Sequence, residues 1–151
     1  MGAVMGLQDK SDKQTLILKE VMEELGKADK ACLIGIDGRD RTGKSSFGNT
    51  LGTELGIPTI DTDLYFDKDD KRDYRSKELR WVLDVRLNAG LMVIVEGIFL
   101  LRTLHEIGLE PNYLIYVVNE EQEAGEVRDM QFATYEKEYR PREKANKVLC
   151  R

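Results

Sequence analysis

The chain has 151 residues, of which 41% are hydrophobic and 34% charged, and its formal net charge is -5 at pH 7. This length favours a single domain over residues 1–151, and the composition excludes an intrinsically disordered chain. The acidic balance argues against a general nucleic-acid binder, which would carry a basic excess, and no apolar run approaches membrane-spanning length. Cys32 and Cys150 have neither the spacing of metal ligands nor the number that a disulfide framework needs, so we expect a cytoplasmic protein.

The first predicted elements are a helix and a buried strand. Residues 1–10 are expected to form a loose leader. Ser11 or Asp12 can cap a helix whose apolar residues recur at helical spacing and which ends at Gly26. Residues 31–36 then form a continuous apolar run of strand length, which is typical of a sheet covered on both faces.

Helices and strands alternate through the rest of the chain. A glycine-rich turn leads into a helix that carries Phe47, Leu51 and Leu55 and ends at Gly56. Residues 61–75 are polar and have no clear period, so they are predicted to form a surface loop. The other predicted strands are 59–60, 91–95, 113–118 and 147–150, and the other predicted helices are 76–88, 98–104 and 120–138.

This alternation predicts an α/β fold of three layers, in which a central parallel sheet of about five strands has helices on both faces. Ligands of such sheets bind beyond the carboxyl ends of the strands. We therefore expect the chemistry of the protein directly after Ile36, Ile60, Val95 and Val118.

The segment from Gly38 to Ser45 matches the phosphate-loop (P-loop) pattern G-x-x-x-x-G-K-[ST], the Walker A motif, at every fixed position. Glycines let backbone N–H groups converge on a phosphate, Lys44 can reach the β- and γ-phosphates, and the Ser45 hydroxyl can bind Mg²⁺. The apolar strand before it and the amphipathic helix after it favour this interpretation over an accidental turn. Arg39 and Arg41 are expected to be solvated, unless one of them faces the nucleotide. The predicted nucleotide-binding residues are Gly38, Arg39, Asp40, Arg41, Thr42, Gly43, Lys44, Ser45 and Ser46.

Acidic residues follow two other predicted strands. Glu96 comes at the end of one strand, where a Walker B carboxylate would hold Mg²⁺ directly or through water. A lone acid in this position is otherwise a turn residue. Asp61 and Asp63 follow the short strand before it. Ser45, Glu96 and Asp61 are the predicted metal-binding residues.

Phosphoryl transfer to a hydroxyl needs a carboxylate that orients the alcohol and accepts its proton. Asp63 is the predicted catalytic base, with Asp61 as the alternative, and Tyr65 or Phe66 can stack on an acceptor ring. The competing interpretation is structural: Asp61 caps a loop, and the two aromatic side chains fill the edge of the core.

An arginine can neutralise charge during the transfer, as mobile arginines do in this chemistry. Arg128 is predicted to take this role and completes a catalytic set with Lys44 and Asp63, while Arg140 and Arg142 are further candidates. The competing interpretation is that each arginine is an ordinary surface residue.

In their order along the chain, these segments resemble the uridine kinase family of P-loop kinases, relatives of phosphoribulokinase and pantothenate kinase. The segments are 34–38 running into 43–46, then 63–66, 93–101 and 128–129. The resemblance implies a P-loop NTPase fold and an ATP-dependent kinase that uses Mg²⁺ and phosphorylates a hydroxyl of a nucleoside or similar metabolite. It also implies that Asp63 serves as the base and that Arg128 contacts ATP phosphates.

Three interpretations of the function stay open. The first is this kinase, whose partners would be a nucleotide and a small-molecule acceptor. The second is an ATP-binding regulatory module or slow ATPase without such an acceptor. It is favoured by the short segment 63–76 and by the lack of an arginine-glycine-arginine run after residues 128–129. The third is an unrelated α/β domain with an accidental loop.

Overall fold

The computed structural model of the chain describes residues 2–26, 31–65, 75–119 and 126–151. Its helices are α1 (Gly2–Leu25), α2 (Lys44–Leu55), α3 (Ser76–Asn88), α4 (Leu100–Glu106), α5 (Glu126–Tyr139) and α6 (Pro141–Lys144). Its strands are β1 (Leu33–Gly38), β2 (Thr59–Asp61), β3 (Val93–Gly97), β4 (Tyr113–Val118) and β5 (Lys147–Cys150). A 3-10 helix, Thr62–Tyr65, directly follows β2.

These strands form one parallel sheet in the order β2-β3-β1-β4-β5. β1 is the central strand, with Ile34 opposite Ile94 of β3 and Tyr113 of β4. Because all strands are parallel, their carboxyl ends lie at the same end of the sheet. The predicted phosphate loop and the predicted acidic residues therefore share this end.

Side chains of the sheet alternate between two hydrophobic layers, one on each face. The layer with α1 and α2 contains Val21, Ile34, Ile36, Phe47, Leu51 and Ile115. The layer with α3, α4 and α5 contains Leu33, Leu79, Val95, Leu104, Leu114 and Phe132. The prediction of a parallel sheet with helices on both faces is confirmed.

The N-terminal prediction is wrong. α1 begins at Gly2, whereas residues 1–10 were expected to be a loose leader. Residues 2–10 contain no proline, and their Met, Leu, Gln and Lys residues favour helix, so the helix can continue toward the N-terminus. No described helix is both long and apolar enough to cross a membrane.

Several other predicted elements differ from the observed ones in their bounds, and two of them reach outside the described part of the chain. The helix predicted over 120–138 is observed from Glu126, and residues 120–125 lie outside the described part of the chain. The loop predicted over 61–75 starts with the end of β2 and the 3-10 helix, and residues 66–74 are again outside the described part. α6 was not predicted; it begins at Pro141, whose restricted φ suits the first position of a helix.

Candidate active site

The candidate site lies at the carboxyl ends of β1, β2 and β3. Pairing in the sheet sets Asp61 of β2 opposite Glu96 of β3, and Asp37 of β1 opposite Gly97 of β3. The phosphate loop leaves β1 at Gly38 and enters α2. The sheet thus brings together three segments that are distant in sequence and that were assigned to phosphate, metal and acceptor.

The phosphate loop is a tight turn whose glycines have steric roles. Gly43, the residue before α2, has φ 93° and ψ 21°, in the left-handed region that favours glycine. A Cβ atom at Gly38 would lie 2.4 Å from the carbonyl oxygen of Val117, so a side chain does not fit beside β4. The backbone N–H of Phe47 donates a 3.0 Å bond to the Gly43 carbonyl and starts α2. The first N–H groups of α2, which have no partners within the helix, form the end of this loop.

The Lys44 side chain is buried inside the loop. Its Nζ donates a 2.6 Å hydrogen bond to the carbonyl oxygen of Arg39, which also accepts a 2.9 Å bond from Thr42 Oγ1. Burial lowers the pKa of Lys44, and four carboxylates oppose this effect. They belong to Glu96, Asp37, Asp40 and Asp63. A phosphate could replace the carbonyl as the partner of Lys44, because charge-assisted hydrogen bonds are the stronger ones.

The remaining loop residues lie closer to the surface. Asp40 is half-buried, and Arg41 is exposed with a left-handed φ of 57°. Ser46 is exposed in the first turn of α2. Arg151, which the sequence did not indicate, donates a 3.3 Å hydrogen bond from Nη1 to the carbonyl oxygen of Gly43.

Ser45 and Glu96 are in direct contact. Ser45 Oγ donates a 2.7 Å hydrogen bond to Oε1 of Glu96. Burial raises the pKa of Glu96, the hydrogen bond from Ser45 lowers it, and the charge of Asp61 raises it further. The first turn of α2 and the end of β3 therefore present a hydroxyl and a carboxylate side by side.

This pair fits a magnesium ion that is shared with a nucleotide. Mg²⁺ commonly keeps several waters and takes one or two carboxylates together with substrate phosphates. In the described ranges, no group of three or more His, Cys, Asp or Glu side chains could hold a metal ion. One hydroxyl and one buried carboxylate beside a phosphate loop fit a magnesium ion whose other ligands are nucleotide phosphates and water.

Asp61 and Asp63 take different positions after β2. Asp61 Oδ1 accepts a 2.9 Å hydrogen bond from the backbone N–H of Asp63, so Asp61 caps the 3-10 helix. The charge of Asp61 acts on Glu96, and the charge of Asp63 acts on both Glu96 and Lys44. The side chain of Asp63 is exposed. Of the two carboxylates, Asp63 is therefore the one that can meet an incoming molecule.

Other residues of the predicted site are less well placed. Tyr65 is half-buried and packs against the layer that contains α3, which agrees with a role in the edge of the core. Phe66 lies outside the described residues. Arg128 belongs to α5, and its side chain is also outside the described part, so its role stays a prediction. Arg140 pairs with Glu143 at 3.5 Å and is mostly exposed.

Asp37, the residue before the last of β1, has no role predicted from the sequence. This residue is fully buried, and its Oδ1 accepts a 2.7 Å hydrogen bond from the backbone N–H of Gly38. The hydroxyl of Tyr135, from α5, donates a hydrogen bond to its Oδ2. Burial raises the pKa of Asp37 to about 6, although these two hydrogen bonds, a third from the Leu100 backbone and the charge of Lys44 oppose this rise. The signal in the sequence was an acid that directly follows an apolar strand run.

Arg39, one of the predicted nucleotide-binding residues, has an unexpected partner. It was predicted to be solvated or to face a nucleotide, yet its guanidinium group pairs with Glu136 of α5. Its Nε lies 2.7 Å from Glu136 Oε1, and its Nη1 lies 3.4 Å from Asp129 Oδ1. No pattern local to the phosphate loop indicates a partner so far away in sequence.

Comparisons with known proteins agree with this architecture. No family model matches the chain, and no curated protein matches it. A solved structure of a possible uridine kinase from Bacillus stearothermophilus aligns with a TM-score of 0.64 and 16% identity, over 92% of this chain and 98% of that one. A sugar kinase from Janibacter sp. HTCC2649 aligns with a TM-score of 0.50 and 14% identity, over 80% of this chain and 85% of that one.

Identities this low establish the fold alone. The structural likeness nevertheless spans nearly the whole of the possible uridine kinase, and the order of segments in the sequence had suggested the same family. The chain therefore has the fold of the P-loop kinases, and its predicted resemblance to uridine kinase-like proteins is confirmed at the level of the fold.

Proposed function

We propose that the protein is an ATP-dependent kinase that transfers the γ-phosphoryl group to a hydroxyl of a small molecule, a nucleoside or similar metabolite. The observation that carries this proposal is the contact between Ser45 and Glu96, because it joins the phosphate loop to a Walker B-type carboxylate. The kinase fold supports the same reaction class.

In this proposal, the loop binds and positions the nucleotide. The N–H groups around Gly43 and the Lys44 ammonium cradle the phosphates, while Ser45 and Glu96 would hold Mg²⁺, with Asp61 nearby. The metal would supply charge neutralisation for the nucleotide phosphates. A carboxylate already bonded to the serine hydroxyl orients both groups before the nucleotide arrives.

Asp63 would act on the acceptor. Its carboxylate accepts the proton of the acceptor hydroxyl while that oxygen forms a bond to the γ-phosphorus. The bond between the γ-phosphorus and the bridging oxygen breaks, and ADP leaves with the electron pair. Arg128 would offset negative charge on the transferring group.

An ATP-binding module without a small-molecule acceptor is the second candidate. The short acceptor-side segment 63–76 favours it, since it leaves little room for an acceptor-binding insertion. Under either function we propose a cytoplasmic location, in keeping with cysteines that are free at both positions, Cys32 and Cys150.

ADP release from Mg²⁺-ATP separates these functions. The assay is run with and without a panel of nucleosides and small hydroxylated metabolites, and Lys44→Met is the control. We expect release that depends on one class of acceptor and is lost in the control. ATP binding that Lys44→Met weakens, with no release that any acceptor stimulates, would support the binding module. Unchanged ATP affinity in Lys44→Met would reject both functions.

A further inference from the structure

One face of α5 contacts a residue of the phosphate loop. The guanidinium group of Arg39 donates to Glu136 twice, from Nε to Oε1 at 2.7 Å and from Nη2 to Oε2 at 3.0 Å. The same group lies 5.7 Å from the ring centroid of Phe132 and pairs with Asp129 at 3.4 Å. Positions 129, 132 and 136 share a helix face, so α5 presents an acid, a ring and an acid to one arginine.

Glu136 is itself held by the sheet. The hydroxyl of Tyr116, in β4, donates a 3.0 Å hydrogen bond to Oε1 of Glu136. The carboxylate thus has one partner in the sheet and one in the loop. A bidentate pair with a third hydrogen bond restricts the carboxylate more than an isolated surface pair would.

The backbone of Arg39 connects this pair to the loop interior. Its carbonyl oxygen accepts hydrogen bonds from Lys44 Nζ at 2.6 Å and from Thr42 Oγ1 at 2.9 Å. Arg39 therefore contacts Glu136 through its side chain and Lys44 through its backbone carbonyl. A shift of Arg39 would move the carbonyl oxygen that accepts the hydrogen bond from Lys44, the lysine proposed to bind phosphate.

We propose that Glu136 is a positioning residue of the phosphate loop, which acts through Arg39 to hold Lys44 and the loop amides in a phosphate-binding geometry. This inference rests on the proposed nucleotide site and adds α5 to it. Tyr135 of α5 also donates a hydrogen bond to Asp37, the residue before the phosphate loop. Packing of α5 on the sheet and order in the loop are therefore coupled.

The exposure of the Arg39 and Glu136 side chains sets the expected loss of nucleotide affinity. The side chains of Arg39 and Glu136 are 39% and 30% exposed, so solvent screens their attraction. Loss of the pair should weaken nucleotide binding about two- to fivefold, the range that a partly exposed ion pair supports.

The test compares Glu136→Gln with Glu143→Gln. Glu143 pairs with Arg140 at 3.5 Å and is 71% exposed, so it controls for loss of one negative charge. ADP affinity is measured by titration calorimetry, and the KM for ATP and kcat are measured where turnover is found. We expect Glu136→Gln to raise the Kd and KM about two- to fivefold with little change in kcat, and Glu143→Gln to change neither.

Hydrogen exchange of the amides at residues 40–44, without nucleotide, gives a second readout. We expect faster exchange in Glu136→Gln and the wild-type rate in Glu143→Gln. A double-mutant cycle with Arg39→Gln should be non-additive, because either substitution alone breaks the same pair.

Wild-type ADP affinity together with wild-type exchange in Glu136→Gln would overturn the inference, as would additive effects in the cycle. These outcomes are distinct from failure of the proposed function, which Lys44→Met reports. If Lys44→Met weakens ADP binding while Glu136→Gln keeps the wild-type affinity and the wild-type exchange rates, only the role of Glu136 is rejected.

Discussion

The Ser45 hydroxyl donates a 2.7 Å hydrogen bond to Oε1 of Glu96, a residue 51 positions away in sequence. This contact joins the first turn of α2 to the end of β3. Glu96 is only 3% exposed, and burial raises the pKa of its carboxyl group. A buried carboxylate kept beside a hydroxyl has limited ways to stabilise its charge, and a divalent cation is one of them.

Glu96→Gln should therefore reduce the contribution of Mg²⁺ to ATP binding. Glutamine keeps the shape and an oxygen acceptor for Ser45, but it removes the charge that attracts the cation. We expect the ratio of the ATP Kd without Mg²⁺ to that with Mg²⁺ to fall about tenfold. Titration calorimetry of ATP in the presence and absence of Mg²⁺ measures this ratio.

Glu54→Gln is the matched control, because Glu54 is an exposed acid in the same helix as Ser45. It should leave the ratio unchanged. The raised pKa of Glu96 adds a pH dependence: Mg²⁺-supported binding should strengthen as pH rises and the carboxyl group ionises. Equal Mg²⁺ dependence in Glu96→Gln and wild type would show that Glu96 has no part in binding the metal.

Asp37 should make the folded state less stable as pH rises from about 4 to about 6. Its pKa is raised from 3.8 to about 6 in the folded chain, so the folded state binds this proton more tightly than the unfolded state does. The stabilisation is fully present below the unfolded pKa and is lost as pH rises through the folded pKa. A pKa difference of about 2 corresponds to about 3 kcal/mol in the free energy of unfolding.

Urea unfolding of wild type and Asp37→Asn across this pH range tests the effect. Other acids contribute equally to both proteins, so the difference between the two curves isolates Asp37. We expect that difference to change by about 2 kcal/mol between about pH 4 and about pH 6, with the rest of the roughly 3 kcal/mol below and above this range, and to be flat above about pH 7. Parallel curves would contradict the assignment of a raised pKa to Asp37.

Much of the fold could be predicted because its strands are uninterrupted apolar runs. The bounds of β4 and β5 agree with the prediction, and those of β1 and β3 differ by a few residues at their ends. A short apolar run can be recognised as a strand without knowledge of its tertiary contacts, because a strand that is buried on both faces is apolar along most of its length. Two helices were exceptions. The N-terminal residues of α1 lack an amphipathic pattern, and helix propensity alone is a weak signal, while α6 has only four residues, too few to show a period.

The candidate site was likewise only partly predictable from the sequence. Gly38, Lys44 and Ser45 were predictable because the loop carries its function in consecutive residues. The pair of Arg39 and Glu136 was not, because the residues are 97 positions apart and meet only once α5 is packed on the sheet. The contact between Asp37 and Tyr135, 98 positions apart, has the same origin. Spacing along a chain does not reveal which face of a distant helix reaches a loop.

Gly97→Ala should destabilise the protein. A Cβ atom at Gly97 would lie 1.9 Å from Thr62 Oγ1 and 3.1 Å from Thr62 Cβ, and Thr62 is fully buried. We expect a loss of about 1 to 3 kcal/mol in the free energy of unfolding, which urea titration measures. Thr62→Ala in the same chain removes the nearest atom and should recover part of the loss. No recovery would mean that the destabilisation arises elsewhere than at this contact.

Asp63→Asn should abolish phosphoryl transfer while ATP still binds. Asparagine cannot accept the acceptor proton, so we expect transfer to slow by about 10²- to 10⁴-fold. ATP affinity should stay near the wild-type value, because Asp63 is exposed and its charge is the smallest of the four that act on Lys44. Acceptor-dependent ADP release and ATP titration measure the two effects separately.

Asp61→Asn is the companion variant, since asparagine retains the Oδ1 atom that accepts the 2.9 Å bond from the Asp63 backbone. The turn should persist. If Asp61 assists the metal, the loss of transfer in Asp61→Asn should become smaller as the Mg²⁺ concentration is raised. Loss of transfer at all Mg²⁺ concentrations in Asp61→Asn, with normal turnover in Asp63→Asn, would reverse the assignment and make Asp61 the base. Normal turnover in both variants would remove these carboxylates from the chemistry, and the acceptor would then have to be activated by a group elsewhere in the chain.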